Sequence, residues 1–336
     1  MASSSEAIDW ASLRALRARF LEGGPPGPDY WSNARLLADY DATFGARIGW
    51  KWSYVLSELG RLGWTPPPGE LVDWGCGTGV AARAVLESGA PFERVRLWDR
   101  SAQALDFAAA RIASEHPGIG VEIERSSAGN ARGGTLLVSH VLSEISPQTR
   151  GALVERARRA DAVIWVEPGT FTASRALIDA REQLRGELHP IAPCPHDERC
   201  GLLDATHERD WCHQFVPPPT VAFTEAGWAR FGKEMGIDLR SLPVSFLVLD
   251  RRASKPLPSG ATRLLGRPRV QKGMATLTGC SEPGVRDLRL RRSVLPGQFR
   301  EAQHGDFPGL AAWRAEGTEL VAIQPIERED FGPPQP

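Results

Sequence analysis

A glycine-rich turn between an apolar run and a helical pattern is the part of the sequence best suited to bind a ligand. The stretch Leu71–Gly79 reads Leu-Val-Asp-Trp-Gly-Cys-Gly-Thr-Gly. Glycine allows the backbone to turn tightly and to approach a ligand closely. The free N–H groups at the start of the following helix can bind a polar or anionic group. We therefore expect Asp73, Gly75, Gly77 and Gly79 to form a cofactor-binding turn.

A second acidic residue follows at the spacing expected for a ribose contact. Asp99 ends the next apolar run after the glycine turn. An acidic side chain about 20 residues beyond the glycines binds ribose hydroxyls in open α/β folds. The motif is Asp-x-Gly-x-Gly-x-Gly without a following Lys-Ser/Thr, which excludes a P-loop. Dinucleotide binding stays an alternative, although a pyrophosphate prefers a helix end without a carboxylate nearby, whereas a sulfonium amino acid tolerates one.

Together these residues resemble the S-adenosylmethionine-binding motifs of class I methyltransferases, over roughly Glu70 to Leu249. The resemblance implies that Asp73 and the glycine backbone hold the methionine part of the cofactor and that Asp99 holds the ribose. A methyl-acceptor site is less well defined, because the expected fourth strand is not followed by the Asn/Asp-Pro-Pro-aromatic tetrapeptide of amino-group methyltransferases. His140 and Glu144 are candidate catalytic bases; a hydrogen-bonded wall residue is the alternative role for His140.

Four of the five cysteines stand late in the chain, and three of them share a proline-rich segment. Cys194, Cys200 and Cys212 lie close together in this segment, and Cys280 follows much later in the sequence. Four thiolates can bind a tetrahedral zinc ion or the four irons of a cubane cluster. Free thiols are the alternative, but three cysteines in one loop favour a metal site. Three histidines keep a mixed Cys/His zinc site possible: His196, His207 and His213.

The glycine turn and the cysteines, with several later motifs, resemble the ribosomal small-subunit methyltransferase-like family, whose eukaryotic members assist assembly of the mitochondrial small ribosomal subunit. The likeness spans about Glu70 to Asp306. The later motifs are Pro193-Cys-Pro-His196, Trp211-Cys-His213, Gly266-Arg-Pro268 with Lys272, and His304-Gly-Asp306. The resemblance implies binding to small-subunit rRNA during its maturation, and a [4Fe–4S] cluster on four cysteines: Cys194, Cys200, Cys212 and Cys280. The gap from Cys200 to Cys212 is longer than this resemblance leads us to expect.

Basic residues are concentrated near the end of a chain whose formal net charge is only −1. The stretch Arg251–Arg300 contains twelve Lys/Arg and two acidic residues, which is typical of a nucleic-acid contact, with a solvated face as the alternative. Alternation along a strand would place Leu288 and Leu290 on one face and arginines on the other. The candidate RNA-binding residues are Arg263, Arg267, Arg269, Lys272, Arg289 and Arg291. Because Cys280 lies in this stretch, we hypothesise that a cluster would tie it to the cysteine loop.

The elements that must position these residues alternate between strand and helix. The predicted strands are Leu71–Asp73, Val95–Asp99, Val121–Glu124, Thr135–Ser139, Ala162–Glu167 and Val244–Leu249; the predicted helices are Val80–Ser88, Ala102–Glu115, Thr149–Arg159, Thr172–Arg185 and Thr224–Met235. This order predicts an α/β fold with a doubly wound, class I methyltransferase-like (Rossmann-like) sheet. We expect a helical N-terminal part (1–65), the methyltransferase-like domain (66–250) with a Cys-rich metal-binding insertion (190–219), and a small, basic, β-rich C-terminal appendage (251–336).

The composition of the chain excludes some classes of protein. With 42% hydrophobic and 24% charged residues, the chain is expected to be globular, and no apolar run is long enough for a membrane span. We expect a cytoplasmic, bacterial-type protein without a signal or transit peptide and without DNA or membrane partners. The favoured function is a ribosomal small-subunit assembly factor that binds S-adenosylmethionine. The alternatives are an active rRNA methyltransferase and a zinc-stabilised methyltransferase acting on a small molecule or protein.

Overall fold

The computed structural model describes residues 8–22, 29–31, 33–126, 133–253 and 257–326, so the outermost residues of the predicted terminal regions lie outside the described part. The helices are α1 (Trp10–Glu22), α2 (Ala34–Tyr40), α3 (Ala46–Arg61), α4 (Val80–Glu87), α5 (Ala102–Glu115), α6 (Pro147–Arg158), α7 (Phe171–Leu184), α8 (Val221–Thr224), α9 (Ala226–Met235) and α10 (Pro296–His304). The first strands are β1 (Gly69–Trp74), β2 (Phe92–Trp98), β3 (Gly120–Ile123), β4 (Thr135–Ser139), β5 (Ala162–Pro168), β6 (His189–Ala192), β7 (Gln214–Phe215) and β8 (Pro243–Asp250). The last are β9 (Ala261–Gln271), β10 (Met274–Ser281), β11 (Gly284–Arg291), β12 (Leu310–Glu316) and β13 (Glu319–Pro325).

The chain divides into two compact units, each assembled from separate stretches of sequence. The first unit consists of Met1–Ser57, Pro66–Glu167 and Val216–Leu242. The second unit consists of Glu58–Thr65, Pro168–Phe215 and Pro243–Pro336. The three-part division expected from the sequence stays a prediction. No helix in the described ranges is both long and apolar enough to cross a bilayer.

Parallel strands in the order β3-β2-β1-β4-β5 form the sheet of the first unit. Strands β4 and β5 are buried almost throughout, as expected for parallel strands covered by crossover helices. The last residue of β1, Trp74, pairs with Trp98 of β2 and Val138 of β4. The segments that follow these three strands therefore begin at the same edge of the sheet. The prediction of an α/β fold is confirmed.

The N-terminal helices of the first unit share an apolar cluster with α9. Its largest buried side chains include Trp10, Leu13, Trp31, Trp228 and Phe231. The predicted helix Thr224–Met235 corresponds to α9, and its first residue, Thr224, ends the preceding short helix α8. Glu225 separates them because its backbone is extended, with φ −99° and ψ 126°.

In the second unit, strand β8 pairs with two short antiparallel strands, and helix α7 packs against β8. Strands β6 and β7 both pair with β8 in the antiparallel sense. The intervening chain forms two short 3₁₀ turns, Gly201–Leu203 and Ala205–His207. The predicted cysteine-rich insertion thus contains short strands and turns.

A closed barrel forms the C-terminal part of the second unit. Its strands neighbour one another in the order β10-β11-β13-β12-β9. Leu277, Leu288, Leu290, Phe299 and Trp313 are among the buried side chains that fill it. Four of the five strands overlap the short strands that the sequence predicts here: Thr262–Leu265, Met274–Thr278, Leu288–Arg291 and Leu320–Ile323. The alternation predicted for Leu288 and Leu290 is observed. Strand β12 and helix α10 were not predicted from the sequence.

Candidate functional site

The turn after β1 has the open side that a ligand needs. Gly75, Gly77 and Gly79 have φ values of 72°, 52° and 76°, a region that L-residues with side chains rarely adopt. A Cβ on Gly75 would lie 2.8 Å from Val141 Cγ1, so the turn is packed on that side. A Cβ on Gly77 would meet no atom within 4 Å. The turn therefore has free space beside Gly77.

Asp73 is fully buried under this turn, and only one of its two carboxylate oxygens has a hydrogen-bond partner among the described residues. Its Oδ2 accepts a hydrogen bond of 3.1 Å from Ala82 N at the start of α4, and its Oδ1 has no partner among the described residues. Burial and the nearby charge of Asp99 raise the pKa of Asp73 to about 7. The carboxylate thus caps α4 and keeps one unmatched acceptor.

Asp99 and Glu144 add two carboxylates to the same region. Asp99 accepts hydrogen bonds of 2.9 Å from the backbone N–H groups of Gly77 and Ser101. Glu144 accepts a hydrogen bond of 2.9 Å from the Tyr30 hydroxyl. Burial raises the pKa of both acids, and the charge of Asp99 raises that of Glu144 further. A cationic group close to Asp99 would offset this repulsion.

His140, the other candidate base, forms a buried pair with a lysine that the sequence did not single out. Lys51 Nζ on α3 lies 3.0 Å from His140 Nε2, and Ser139 Oγ lies 3.3 Å from His140 Nδ1. His140 has φ 55° and is the one non-glycine residue with positive φ in the described segments. Burial lowers the pKa of Lys51 to about 7, and burial together with Lys51 lowers the pKa of His140. The low pKa of Lys51 allows this pair to exchange a proton near neutral pH. The positive φ of His140 marks backbone strain at the same place.

Glu167 at the end of β5 fixes the backbone that follows His140. Its Oε1 accepts hydrogen bonds from Val141 N at 3.1 Å, Leu142 N at 3.2 Å and Trp165 Nε1 at 2.9 Å. Burial raises the pKa of Glu167 to about 7. Its contacts show that Glu167 holds the loop after β4.

All four predicted metal-ligand cysteines line one cavity in the second unit. Cys194 follows β6, Cys200 precedes the first 3₁₀ turn, Cys212 precedes β7, and Cys280 lies on β10. The cavity has about 490 Å³ of empty space, part of it open to solvent. Its other walls are mostly apolar side chains of α7, β8 and β9. Cysteines that are far apart in the sequence therefore face a common space.

Two buried arginines hold the cysteine segment. Arg181 of α7 donates from Nη2 to the carbonyl oxygens of His196 at 2.9 Å and Glu198 at 2.8 Å. Arg263 of β9 donates from Nε to Pro193 O at 2.9 Å and from Nη2 to the buried Glu58 carboxylate at 2.7 Å. Both arginines line the cavity. They position the backbone next to Cys194 without any bound group.

The surroundings of Cys200, Cys212 and Cys280 favour the protonated thiols. Burial, followed by the neighbouring cysteines, raises the pKa of Cys200 to about 11 and that of Cys212 to about 12. The pKa of Cys280 is raised for the same reasons. In the described ranges, no three His, Cys, Asp or Glu side chains stand close enough together to hold a metal ion as they are. A bound cation would reverse the preference for the protonated thiols.

The histidines of the cysteine segment take different positions. His196 Nε2 lies 3.7 Å from Cys280 Sγ. His207 contacts Asp210, and His213 stacks on Trp211 with ring centroids 4.6 Å apart. Of the three, only His196 contacts a cavity cysteine through these interactions.

The predicted RNA-binding residues divide into one buried and five exposed residues. Arg263 is 1% exposed because it pairs with Glu58, so its prediction as a surface RNA contact is wrong. The five exposed residues are Arg267, Arg269, Lys272, Arg289 and Arg291. Arg269 pairs with Asp287 at 2.6 Å, and Arg291 with Glu319 at 2.8 Å. Arg267 lies over the ring of Phe215, with its guanidinium carbon 3.9 Å from the ring centroid.

Comparison with known proteins identifies the family. The model of the mitochondrial small ribosomal subunit protein Rsm22 family matches residues 54–307, about three quarters of the sequence. The chain belongs to this family. The match includes the glycine turn and all four cavity cysteines, and it confirms the family resemblance seen in the sequence.

Solved structures show more distant likenesses. The crystal structure of PH1948 from Pyrococcus horikoshii, a candidate RNA methyltransferase, is 13% identical, covers 71% of this chain and 98% of that one, and has a TM-score of 0.39. Magnesium protoporphyrin IX methyltransferase from Synechocystis PCC 6803 with bound SAM is 11% identical, covers 74% of this chain and 100% of that one, and has a TM-score of 0.39. A search of curated proteins gave no match.

Several residues of these sites carried no recognisable signal in the sequence. Lys51 and Tyr30 lie well before the glycine turn, and Arg181 lies on an ordinary amphipathic helix. Their roles depend on tertiary neighbours. Spacing along one chain could have indicated only the cysteines and the glycine turn.

The low pKa of Lys51 predicts a pH-dependent stability. Between pH 7 and the ordinary lysine value of 10.5, the unfolded chain holds a proton on Lys51 that the folded chain lacks. The contribution of Lys51 to the free energy of unfolding therefore rises with pH in this window, by at most about 1.4 kcal/mol per pH unit. We expect Lys51→Met to remove this rise.

Urea denaturation at several pH values from 7 to 10 measures the effect, with the exposed Lys233→Met as the matched control. Lys233→Met should follow the wild type. Parallel stability curves for the wild type and Lys51→Met would contradict the low pKa.

Proposed function

We propose that this protein takes part in assembly of the small ribosomal subunit and that it binds S-adenosylmethionine, an iron–sulfur cluster and ribosomal RNA. The observation that carries the proposal is the convergence of four distant cysteines on one cavity in a member of the Rsm22 family. Different residues would bind each of these three ligands.

The residues around the glycine turn fit S-adenosylmethionine better than a dinucleotide. Burial raises the pKa of Asp73, Asp99 and Glu144, and the charge of Asp99 raises the pKa of the other two further. This field attracts a sulfonium and an ammonium group and repels a pyrophosphate. The space beside Gly77 allows a ligand to approach the backbone. In this proposal Asp99 binds the ribose hydroxyls and Asp73, with its unmatched Oδ1, serves the amino-acid part.

Isothermal calorimetry tests the cofactor. We expect S-adenosylmethionine to bind and NADH not to bind. Asp99→Ala should weaken S-adenosylmethionine about 10-fold or more, because a charged hydrogen-bond acceptor is lost (about 1.4 kcal/mol or more). The exposed Asp106→Ala on α5 is the matched control and should bind like the wild type. Tight NADH binding without S-adenosylmethionine binding would overturn this part of the proposal.

The cavity residues fit an iron–sulfur cluster. Its donor set is four thiols, which suits cluster iron. Four thiolates would also bind a tetrahedral zinc ion, and the family resemblance favours the cluster. Arg181 and Arg263 place positive charge at the cavity wall and so offset the charge of four thiolates. When bound, the group would supply an electron-transfer or structural centre held by Cys194, Cys200, Cys212 and Cys280.

Metal analysis after purification without oxygen tests the cluster. We expect about four iron and four sulfide per chain, with little zinc. Cys200→Ser should lose most of the iron. Cys76→Ser should retain it, because Cys76 lies in the first unit, on the glycine turn. Folded protein that contains zinc, or no metal, would contradict the proposal.

The barrel supports the proposal of an RNA contact. Five-stranded Greek-key barrels of the OB type bind oligonucleotides through their second and third strands, which correspond here to β10 and β11. Arg289 and Arg291 lie exposed on β11, opposite Thr276 and Met274 of β10. Their partner Glu319 is itself partly exposed, so an RNA phosphate can compete for the same guanidinium groups.

Salt-dependent binding to small-subunit rRNA tests the contact. Arg289→Gln combined with Arg291→Gln should weaken binding and reduce the slope of log K against log salt by about 0.7 for each lost phosphate contact with single-stranded RNA. The matched control replaces Arg300 and Arg314, which are exposed elsewhere on the barrel, with Gln. Equal losses in both double variants would show that the β11 face has no special role.

A second candidate function is active RNA methylation, which the Lys51–His140 pair favours. His140 follows β4, Lys51 of α3 contacts it, and the pair can accept the proton that a methyl acceptor releases. Transfer of label from methyl-labelled S-adenosylmethionine to immature small subunits distinguishes an enzyme from an assembly factor. The wild type and Lys51→Met are compared in that assay.

A further inference from the structure

Two buried hydrogen-bond donors at the cysteine cavity have no acceptor in the described part of the protein. Ser174 is 1% exposed and Arg181 is 3% exposed, and both line the cavity. Neither Ser174 Oγ nor Arg181 Nε has a hydrogen-bond partner among the described residues. Both residues belong to α7, and their spacing of two helical turns places them on the same face of the helix.

Such groups are uncommon in folded proteins. Burying a donor without an acceptor costs about 1–3 kcal/mol, and most buried polar atoms are therefore paired. Ser174 gains nothing from its position unless an acceptor comes with the occupant of the cavity. An aliphatic residue would otherwise suit this apolar wall, which also contains Leu177 and Ile178.

Other contacts fix the rest of the Arg181 guanidinium. The position of its remaining donor, Nε–H, is therefore fixed as well. Its Nη2 donates to the carbonyl oxygens of His196 and Glu198, and its Nη1 pairs with Glu182. The nearby Cys194 also raises the pKa of Arg181. Arg181 is thus anchored beside a cavity thiol with Nε still available.

Hydrogen bonds to sulfur and nearby positive charge are two of the factors that set the reduction potential of an iron–sulfur cluster. Each stabilises the more negative, reduced form more than the oxidised form, and so raises the potential. Neither residue is a ligand, and the two unpaired donor atoms, Ser174 Oγ and Arg181 Nε, make none of the contacts that hold the cysteine segment.

We propose that Ser174 and Arg181 are positioning residues that donate hydrogen bonds to the sulfur atoms of the cluster or its thiolates and thereby raise its reduction potential. This inference rests on the cluster that we propose above. In this inference, one face of α7 controls the reduction potential of the cluster. The four cysteines alone do not explain that control.

An anaerobic redox titration of the iron-loaded protein tests the inference. One electron is supplied by dithionite, and no covalent bond is made or broken in the step that is measured. At the wild-type midpoint we expect Ser174→Ala to lower the ratio of reduced to oxidised cluster about threefold, or ~30 mV for a one-electron couple. Arg181→Met, which also removes a charge, should lower it about tenfold, or ~59 mV.

Matched controls lie at exposed positions on the same helix or directly after it. Thr172→Ala removes a hydroxyl within α7, and Arg185→Met removes a guanidinium at the residue that follows it. Both should keep the wild-type potential. If iron-loaded Ser174→Ala and Arg181→Met also keep it, the inference is wrong.

Iron content separates this inference from the proposal on which it rests. Wild-type protein without iron would overturn the proposed cluster itself. If Arg181→Met fails to hold iron, Ser174→Ala decides the inference alone. Loss of iron from Ser174→Ala but not from Thr172→Ala would support a sulfur contact, because Ser174 Oγ has no bond within the described residues to lose.

Discussion

The conformation of the cysteine segment depends on buried guanidinium groups bound to backbone carbonyls. Arg181 binds the carbonyl oxygens of His196 and Glu198, and Arg263 binds that of Pro193. A buried charge needs such compensation, and Glu58 supplies the rest for Arg263. These contacts fix the backbone on both sides of Cys194.

In the first unit, the buried groups that need compensation are acidic rather than basic. It buries three carboxylates near one turn and stabilises them only in part, through Ala82 N, Gly77 N and the Tyr30 hydroxyl. Repulsion among these groups is a standing cost to the folded protein, and a cation would relieve it. An acidic strand end beside a glycine turn is therefore compatible with the positive sulfonium of the proposed cofactor and would be unfavourable for a pyrophosphate.

The sequence predicts those parts of the molecule that depend on local pattern. The strands of the first unit follow from apolar runs, and the glycine turn follows from residues that require positive φ. The cysteine set was predictable because a cysteine has few roles in such a chain. Lys51, Ser174 and Arg181 were not predictable, since their roles come from partners that are remote in sequence or, for Ser174, from a missing partner among the described residues. Strand β12 was missed although its burial alternates at Ala311 and Trp313, because the run is short and begins after a glycine.

Arg263 shows why net charge alone overstates an RNA-binding surface. Summing charges over a segment counts a buried arginine paired with Glu58 in the same way as an exposed one. Alternation along β9 could not separate the two cases, since Ala261 to Leu265 are buried on both faces of the strand. On β11 the alternation does hold, and Arg289 and Arg291 stay exposed beside Glu319. Exposed ion pairs stabilise a fold by little, so exchanging a carboxylate for a phosphate there costs the protein little stability. A surface of this kind can be specific for polyanions while the free protein stays close to neutral.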